Sequence, residues 1–331
     1  MGNKITIKTV GKPVAFLLIG LFLFSFIQTV FLEKSSYGKW RNWNVQENVD
    51  ILVLGNSHAD NGISPLLMEE RLRQAYGQEV SVFNYALYGM RTEQMYFFCN
   101  EILKTHTPKL IILETYAFCP LADEHREILA RRAFDTLPLS FNKMEGIRYC
   151  ILEDPWSYYV PFIKYHTRWK EISPRDISLL YDKNLWDMAG KGDASQSSEA
   201  CPDPGDGWFL QDTSRIQECR EITPTEKECL EKLLLLLEEK GVSLLFVSVP
   251  YKVQMGLDSI EMIKINNYLR KNYVDGDRIR LLDMNRLWRE LDFDYKDLYN
   301  EGHVNQAGGR KVTNCLLQYL ETNYNIDSIT N

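Results

Sequence analysis

Short runs of apolar, often β-branched residues alternate along this chain with longer segments of helical periodicity. The apolar runs have the length of strands and cover residues 50–55, 80–86, 109–115, 242–250 and 278–284. The helical segments that follow them cover residues 65–76, 91–105, 224–240, 258–273 and 306–322. Strands that alternate with helices of this length form βαβ units, in which helices cover both faces of a parallel sheet. We therefore predict an α/β domain built on a doubly wound, parallel, five-stranded sheet.

One long interval interrupts this alternation, between the third and fourth predicted strands. Residues 120–222 are rich in Tyr, Trp and Pro, and then pass through a stretch rich in Gly, Ser, Asp and Pro that is typical of a surface loop. We interpret this interval as an insertion. Its rings either pack against the main domain or contact the substrate, and the candidates for substrate binding are Trp156, Tyr158, His166 and Trp169.

An uncharged apolar run precedes the α/β pattern. Residues 14–32 are long enough to cross a bilayer core as one helix, so they predict a membrane anchor or a signal sequence. No good small-residue cleavage site follows the run, which favours the anchor. Three lysines precede it. By the positive-inside tendency, residues 1–13 are predicted to be cytoplasmic and residues 33–331 to form an extracytoplasmic domain.

Charge and cysteine spacing exclude several classes of partner. The chain has 45 acidic and 38 basic residues and no long basic run, so it lacks the positive field that nucleic-acid binding requires. Its seven cysteines form no C-x-x-C pair, and its histidines lack the close spacing of metal ligands. We therefore predict no nucleic-acid partner, no metal and no cofactor.

Two polar clusters are candidates for the chemistry. The first predicted strand runs directly into Gly55-Asn56-Ser57-His58, and ligands of open parallel sheets bind beyond the carboxyl ends of the strands. Asn and Ser also occur there simply because they cap turns. The second cluster, residues 296–313, places His303 just before the last predicted helix. A serine nucleophile needs such an imidazole as its base, and a third group to hold the imidazole.

This arrangement resembles the SGNH, or GDSL, hydrolase family. Residues 55–58 resemble its first sequence block, residues 83–95 its second and residues 303–309 its last. The resemblance implies a flavodoxin-like sandwich, with Ser57 as nucleophile and His303 as general base. It also implies that the backbone N–H groups of Ser57 and Gly89 bind the oxyanion.

The chain departs from the family pattern in the residue that should orient the base. Asn300 stands three residues before His303, where the family has Asp, and Asp297 lies three residues further back. An Asn carbonyl can hold the imidazole in the right tautomer, but it adds no negative charge. Three alternatives remain open: Asp297 reaches His303, Asn300 suffices, or the site is impaired.

The family's third block, Gly-x-Asn-Asp, is not found after the third predicted strand. One oxyanion donor is therefore unassigned, and Asn84 or Asn56 is its candidate replacement. Glu114 stands at this strand end instead, where we expect it to contact substrate or to hold a loop. We expect His58 to bind substrate or to structure the loop beside the serine.

With its single apolar segment, the chain resembles SGNH-like proteins of bacterial envelope polysaccharide acylation, the relatives of the teichoic-acid D-alanylation and alginate acetylation proteins. This resemblance implies a serine esterase or O-acyltransferase, acting on acetyl or other acyl esters of an envelope or exported polysaccharide. Its implied partners are the membrane and a membrane-embedded acyltransferase. The alternative is an inactive SGNH-like scaffold or polysaccharide-binding module in an acylation complex.

Overall fold

The structure of the chain is a computed structural model that describes residues 7–33, 37–118, 126–159, 163, 166, 168–180, 191, 198–202, 213–251, 258–300 and 302–329. The strands are β1 (Ile51–Leu54), β2 (Val82–Asn84), β3 (Leu110–Glu114), β4 (Ser243–Ser248) and β5 (Ile279–Asp283). The first helices are α1 (Ile7–Glu33), α2 (Tyr37–Val45), α3 (Ser57–Gly62), α4 (Pro65–Tyr76), α5 (Thr92–Ile102) and α6 (Arg126–Phe134). The later helices are α7 (Phe141–Cys150), α8 (Trp156–Tyr159), α9 (Pro174–Leu179), α10 (Pro224–Glu239), α11 (Asp258–Asn272) and α12 (Gln306–Asn323).

All five strands form one parallel sheet in the order β2-β1-β3-β4-β5. The predicted α/β class and the five-stranded parallel sheet are confirmed. In this order the chain reverses direction across the sheet between β1 and β3, and the crevice beyond the carboxyl ends of these strands is where doubly wound folds bind ligands.

The sheet is buried on both faces, which explains why its strands are continuous apolar runs. Along β1, Leu52 and Leu54 contribute to the core on one face, while Ile51 and Val53 contribute to the core on the other. All four side chains have 0% exposure. The β1 strand is therefore fixed by packing up to the residue before Gly55.

Local signals in the sequence explain where the helices begin and end. Helix α4 starts after the capping residue Ser64 with Pro65 in its first turn, and it ends at Gly77 in the left-handed conformation. Helix α10 starts with a capping box between Thr223 and Glu226. These signals are local, and the predicted and observed helix boundaries accordingly agree closely.

The interval between β3 and α10 contains helices that periodicity did not predict. Helices α6 and α7 pack against α5. At Gly146 in α7, a Cβ atom would lie 2.7 Å from the Phe134 ring and 2.8 Å from Phe97, so the close approach of this helix needs glycine. Most of the predicted surface loop lies outside the described residues.

The N-terminal helix α1 carries the predicted membrane segment. Its stretch Gly11–Phe31 has a mean hydropathy of 2.4, and within the described chain it is the one helix long and apolar enough to cross a membrane. A signal sequence would meet the same criterion. Residues 1–6 of the predicted cytoplasmic segment lie outside the described residues.

The helix that follows α1 is fixed to the α/β core. In α2, Trp43 has 0% exposure and its ring meets Phe83 and Tyr85 edge-on at 5.4 and 5.8 Å. Its indole N–H also donates to the carbonyl oxygen of Ile102 at 3.3 Å. Helix α2 is therefore part of the domain, and its side chains have fixed positions relative to the sheet.

Candidate functional site

The turn from β1 into α3 requires a glycine and presents a serine. Gly55 has φ +153°, and a Cβ atom there would lie 2.7 Å from Cβ of Glu114 and 2.9 Å from Cβ of Ala59. Asn56 then caps α3 through its side chain, so Ser57 is the first residue of a short helix. The sequence predicted a turn at this point, and the helix forms because the cap supplies an acceptor for its first N–H groups.

The histidine is presented by a loop that is bonded to itself and to α12. The loop closes through a bridge between Leu298 and Val304, and the N–H of Tyr299 donates to the carbonyl of His303 at 3.0 Å. Asn305 caps α12 by accepting from the first N–H groups of the helix. These bonds fix the backbone of His303 from both sides.

Ser57 and His303 meet at this edge of the sheet. The hydroxyl oxygen Oγ of Ser57 lies 2.7 Å from Nε2 of His303, and Nδ1 of the same ring lies 3.0 Å from Oδ1 of Asn300. That Oδ1 also accepts from the backbone N–H groups of Gly302 and His303, both at 2.9 Å. Because backbone N–H groups only donate, this Asn atom is the oxygen, and Nδ1 must be the protonated nitrogen. In the neutral ring Nε2 is then unprotonated, and it faces the serine hydroxyl as a general base requires.

Asp297 does not orient the imidazole. Its carboxylate accepts from the N–H of Asp294 at 2.9 Å and pairs with Lys311 in α12 at 2.9 Å. Its backbone carbonyl lies so close to α12 that a Cβ atom at Gly308 would be 2.1 Å away. Of the predicted alternatives, the structure shows Asn300 in contact with the imidazole, whereas Asp297 joins the loop to α12.

The two amides proposed as oxyanion donors have different surroundings. Asn84 has 0% exposure, and its Nδ2 donates to the carbonyls of Ala59 and Ile63 at 3.0 and 2.9 Å, so it holds α3 and has no N–H left for a substrate. Asn56 accepts from the N–H of His58 through Oδ1, and its Nδ2 donates to none of the residues that the structure describes. Asn56 is therefore the better candidate of the two.

Gly89 lies in a turn that is bonded to the loop before Ser57, residues 55 and 56. Two residues earlier, the N–H of Leu87 donates to the carbonyl of Gly55 at 3.0 Å. Gly89 has φ +73°, and a Cβ atom there would lie 2.6 Å from the Leu129 side chain. The turn therefore needs glycine for its conformation and for its packing.

Aromatic rings surround the pair of reactive side chains. The ring of His58 lies 4.9 Å from that of His303 and nearly parallel to it, and its other neighbours are Tyr116 at 4.0 Å and Tyr251 at 5.1 Å. Tyr299 stacks near His303 at 5.7 Å. His58 therefore belongs to the wall of the site, where its ring stacks on that of His303.

Burial controls the protonation of the ionisable groups here. It lowers the pKa of His58 well below its usual value, an effect that the neighbouring His303 increases. It also lowers the pKa of His303, while the Asp60 carboxylate acts in the opposite direction. Burial raises the pKa of Glu114 to about 8, although its bonds to backbone N–H groups oppose the shift. Near pH 7 both imidazoles are therefore mainly neutral, and the Glu114 carboxyl is mainly protonated.

The four insertion residues proposed to bind substrate lie in different environments. Tyr158 is 2% exposed, and the guanidinium of Arg131 lies 3.9 Å from the centre of its ring, so Tyr158 is part of the core. Trp156 and Trp169 are 71% and 54% exposed. His166 is also exposed and bonds the carbonyl of Ile163. The rings that border the reactive pair are instead those of Tyr116, Tyr251 and Tyr299.

Two of these tyrosines could have been predicted from the sequence, because they follow strand ends; the third, Tyr299, lies near His303. Tyr116 lies two residues after β3, and Tyr251 lies three residues after β4. The rule that identified Ser57 after β1 applies equally to them.

Among the described residues, no group of three or more His, Cys, Asp or Glu side chains is arranged to hold a metal ion.

In comparisons with known proteins, no family model matches the chain. No match was found among curated proteins either.

Proposed function

We propose that this chain is an SGNH-like serine esterase or O-acyltransferase. The observation that carries the proposal is the hydrogen bond of 2.7 Å between Ser57 Oγ and His303 Nε2, with Asn300 accepting the proton on Nδ1. An activated serine of this kind attacks acyl carbonyls. The neutral state of His303 at pH 7 suits a general base.

In the proposed reaction, Ser57 attacks the acyl carbonyl while Nε2 of His303 takes its proton. The N–H groups of Ser57 and Gly89 and the side chain of Asn56 stabilise the oxyanion. Collapse of this intermediate breaks the ester bond, and His303 returns the proton to the leaving hydroxyl. Water or a sugar hydroxyl then attacks the acyl-serine, which completes hydrolysis or transfer and frees Ser57.

The first test is labelling of the full chain, in detergent, with a fluorophosphonate probe. We expect labelling of the wild type and its loss in Ser57→Ala and His303→Ala. The matched controls are Ser178→Ala and His166→Ala, which change exposed residues and should label normally. A folded wild type that does not label would contradict the esterase proposal and favour the inactive scaffold.

The resemblance to envelope acylation proteins suggests the substrate, an acetyl or other acyl ester on an envelope or exported polysaccharide, and a membrane-embedded acyltransferase as partner. The half-buried rings of Tyr116 and Tyr251 pack together beside the reactive pair and offer such a substrate a surface that is both apolar and able to hydrogen-bond. Deleting the gene separates the two reactions. A loss of acyl groups from the glycan indicates transfer, whereas a gain indicates hydrolysis.

We also propose that α1 anchors the chain and that the α/β domain is extracytoplasmic. Cys219 is an exposed, free thiol, and it offers a direct test. A membrane-impermeant maleimide applied to intact cells should modify the wild type more than Cys219→Ser. If the wild type and Cys219→Ser are modified equally in intact cells and differ only after lysis, the domain is cytoplasmic and the proposal is wrong.

A further inference from the structure

The base in the proposed reaction becomes a cation, and its orienting residue brings no opposite charge. The Asn300 amide that accepts from Nδ1 of His303 is neutral. Burial lowers the pKa of His303, which means that the surroundings disfavour the imidazolium form. A negative charge from another residue would stabilise that form.

Asp60 lies where it can supply this charge. It stands three residues after Ser57 in α3, so the two side chains share a helix face, with Cβ atoms about 5–6 Å apart. Ser57 is hydrogen-bonded to His303, so Asp60 lies on the face of α3 that the imidazole approaches. Its charge raises the pKa of His303, against the effect of burial.

Lys39 holds this carboxylate from a different helix. Its Nζ pairs with Oδ1 of Asp60 and donates to the carbonyl of Ala86 at 2.9 Å. The two charged side chains are largely buried, with 16% and 24% exposure. Lys39 belongs to α2, which Trp43 fixes to the core, so the carboxylate has a defined position.

The other ionisable neighbours, from every described element around the base, do not supply a negative charge. His58 is neutral because burial lowers its pKa, and Glu114 is mainly protonated because burial raises its pKa to about 8. The Asp297 carboxylate is bonded to the N–H of Asp294 and to Lys311, and among the described carboxylates Asp60, not Asp297, raises the pKa of His303. The remaining titratable neighbours are phenols, those of Tyr116, Tyr251 and Tyr299.

We propose that Asp60 supplies the negative charge that stabilises the imidazolium of His303, in place of the Asp that Asn300 replaces, and that Lys39 moderates this charge. The inference rests on the proposed function. Asp60 acts through His303 and touches no reacting atom, so it is a positioning residue.

The test is the rate of fluorophosphonate labelling of the full chain in detergent, measured between pH 5 and 9. Asp60→Asn lowers the pKa of His303, so the acidic limb of the profile should move to lower pH. The plateau rate should fall by about 1.4-fold to fivefold, the range for one partly exposed charge. Lys39→Met removes the opposing charge, so the acidic limb should move to higher pH.

Rescue separates an electrostatic role from a structural one. In Asp60→Asn combined with Asn300→Asp, the charge returns beside Nδ1, and both limb and plateau should move back towards the wild type. Asp277→Asn, an exposed control, should leave the profile unchanged. An Asp60→Asn profile with the wild-type limb, or a double variant without rescue, would overturn the inference.

A second readout does not depend on activity. In the full chain with ¹³C-labelled histidine, the His303 resonance is identified by its loss in His303→Ala, and its pKa is measured by NMR titration. We expect a lower pKa in Asp60→Asn and a higher one in Lys39→Met; unchanged values would overturn the inference. A wild type that never labels would contradict the proposed function, and the titration would still decide the role of Asp60.

Discussion

Gly55 determines how closely the loop before Ser57 approaches the neighbouring strand. Its backbone has φ +153°, which favours glycine, and Glu114 of β3 fills the space where a side chain would be. The contact joins the residue before Asn56 to a buried carboxyl at the end of the next strand. The position of Ser57 therefore depends on a glycine two residues earlier.

We predict that Gly55→Ala destabilises the protein by about 3–5 kcal/mol, because backbone strain adds to overpacking. It should also lower the rate of fluorophosphonate labelling, since the loop that carries Ser57 must move. Urea unfolding followed by tryptophan fluorescence in detergent measures the first effect. Gly77→Ala is the control: its φ is +69° but nothing lies within 4 Å of the added Cβ. It should cost about 1–2 kcal/mol, and an equal loss in both variants would show that packing at Gly55 contributes nothing.

At this scale the sequence predicted the residue types of the site better than their partners. Ser57 and His303 follow from their positions beside a strand end and before a helix, and the structure brings them together. Whether Asn300 or Asp297 contacts the imidazole depends on a loop closure, which spacing along the chain does not define. The pairing of Asp60 with Lys39 joins two different helices, and no local pattern in the sequence indicates it.

At the scale of elements, the junction between α3 and α4 is held by the last helix. Thr313 of α12 has 0% exposure, accepts from the N–H of Ser64 at 3.1 Å and donates to the carbonyl of Gly62 at 3.3 Å. Asn84 holds the same turn from the other side through the carbonyls of Ala59 and Ile63. The short helix that carries Ser57 is therefore positioned by side chains from distant segments.

Thr313→Val keeps the shape of the side chain and leaves two backbone groups without their partner. We expect a loss of about 1–3 kcal/mol in stability, together with slower labelling of Ser57. Thr322→Val, at an exposed position of the same helix, should change stability by less than about 0.5 kcal/mol. Normal labelling and stability in Thr313→Val would mean that α12 does not hold α3.

Element boundaries were predictable because their signals are local. The predicted strand 109–115 is observed at Leu110–Glu114, and the predicted helix 65–76 is observed at Pro65–Tyr76. Helices α3 and α7 were not predicted. The first is too short to show a period, and the second depends on a glycine that lets it approach Phe97. Tertiary packing determines whether such helices form, and the hydrophobic periodicity of one sequence does not reveal that packing.

For the whole molecule, a buried carboxyl makes stability depend on pH. Glu114 has a pKa of about 8 in the folded chain against an ordinary value of 4.5, because burial disfavours its charged form. The folded state therefore holds a proton that the unfolded state releases. The stability from this group is complete below about pH 4.5 and is lost as the pH rises towards 8.

We predict that Glu114→Gln flattens the decline of stability between pH 5 and pH 8. The amide oxygen can still accept from the N–H of Tyr116. As the pH rises from 5 to 8, the wild type should lose on the order of 3 kcal/mol of unfolding free energy that the variant keeps. Urea unfolding at several pH values measures this difference. The exposed Glu145→Gln should follow the wild-type curve, and a Glu114→Gln curve parallel to it would contradict the raised pKa.

The two reactive side chains are separated by 246 residues of chain, and this separation has a consequence for biosynthesis. At about 5–20 residues per second, the histidine follows the serine out of the ribosome by roughly 12–50 s. During that interval Ser57 has the reactivity of any serine. Under the proposed function, the nascent protein therefore cannot act on acyl groups before His303 has been made, and the serine is activated only when the two ends of the chain have met.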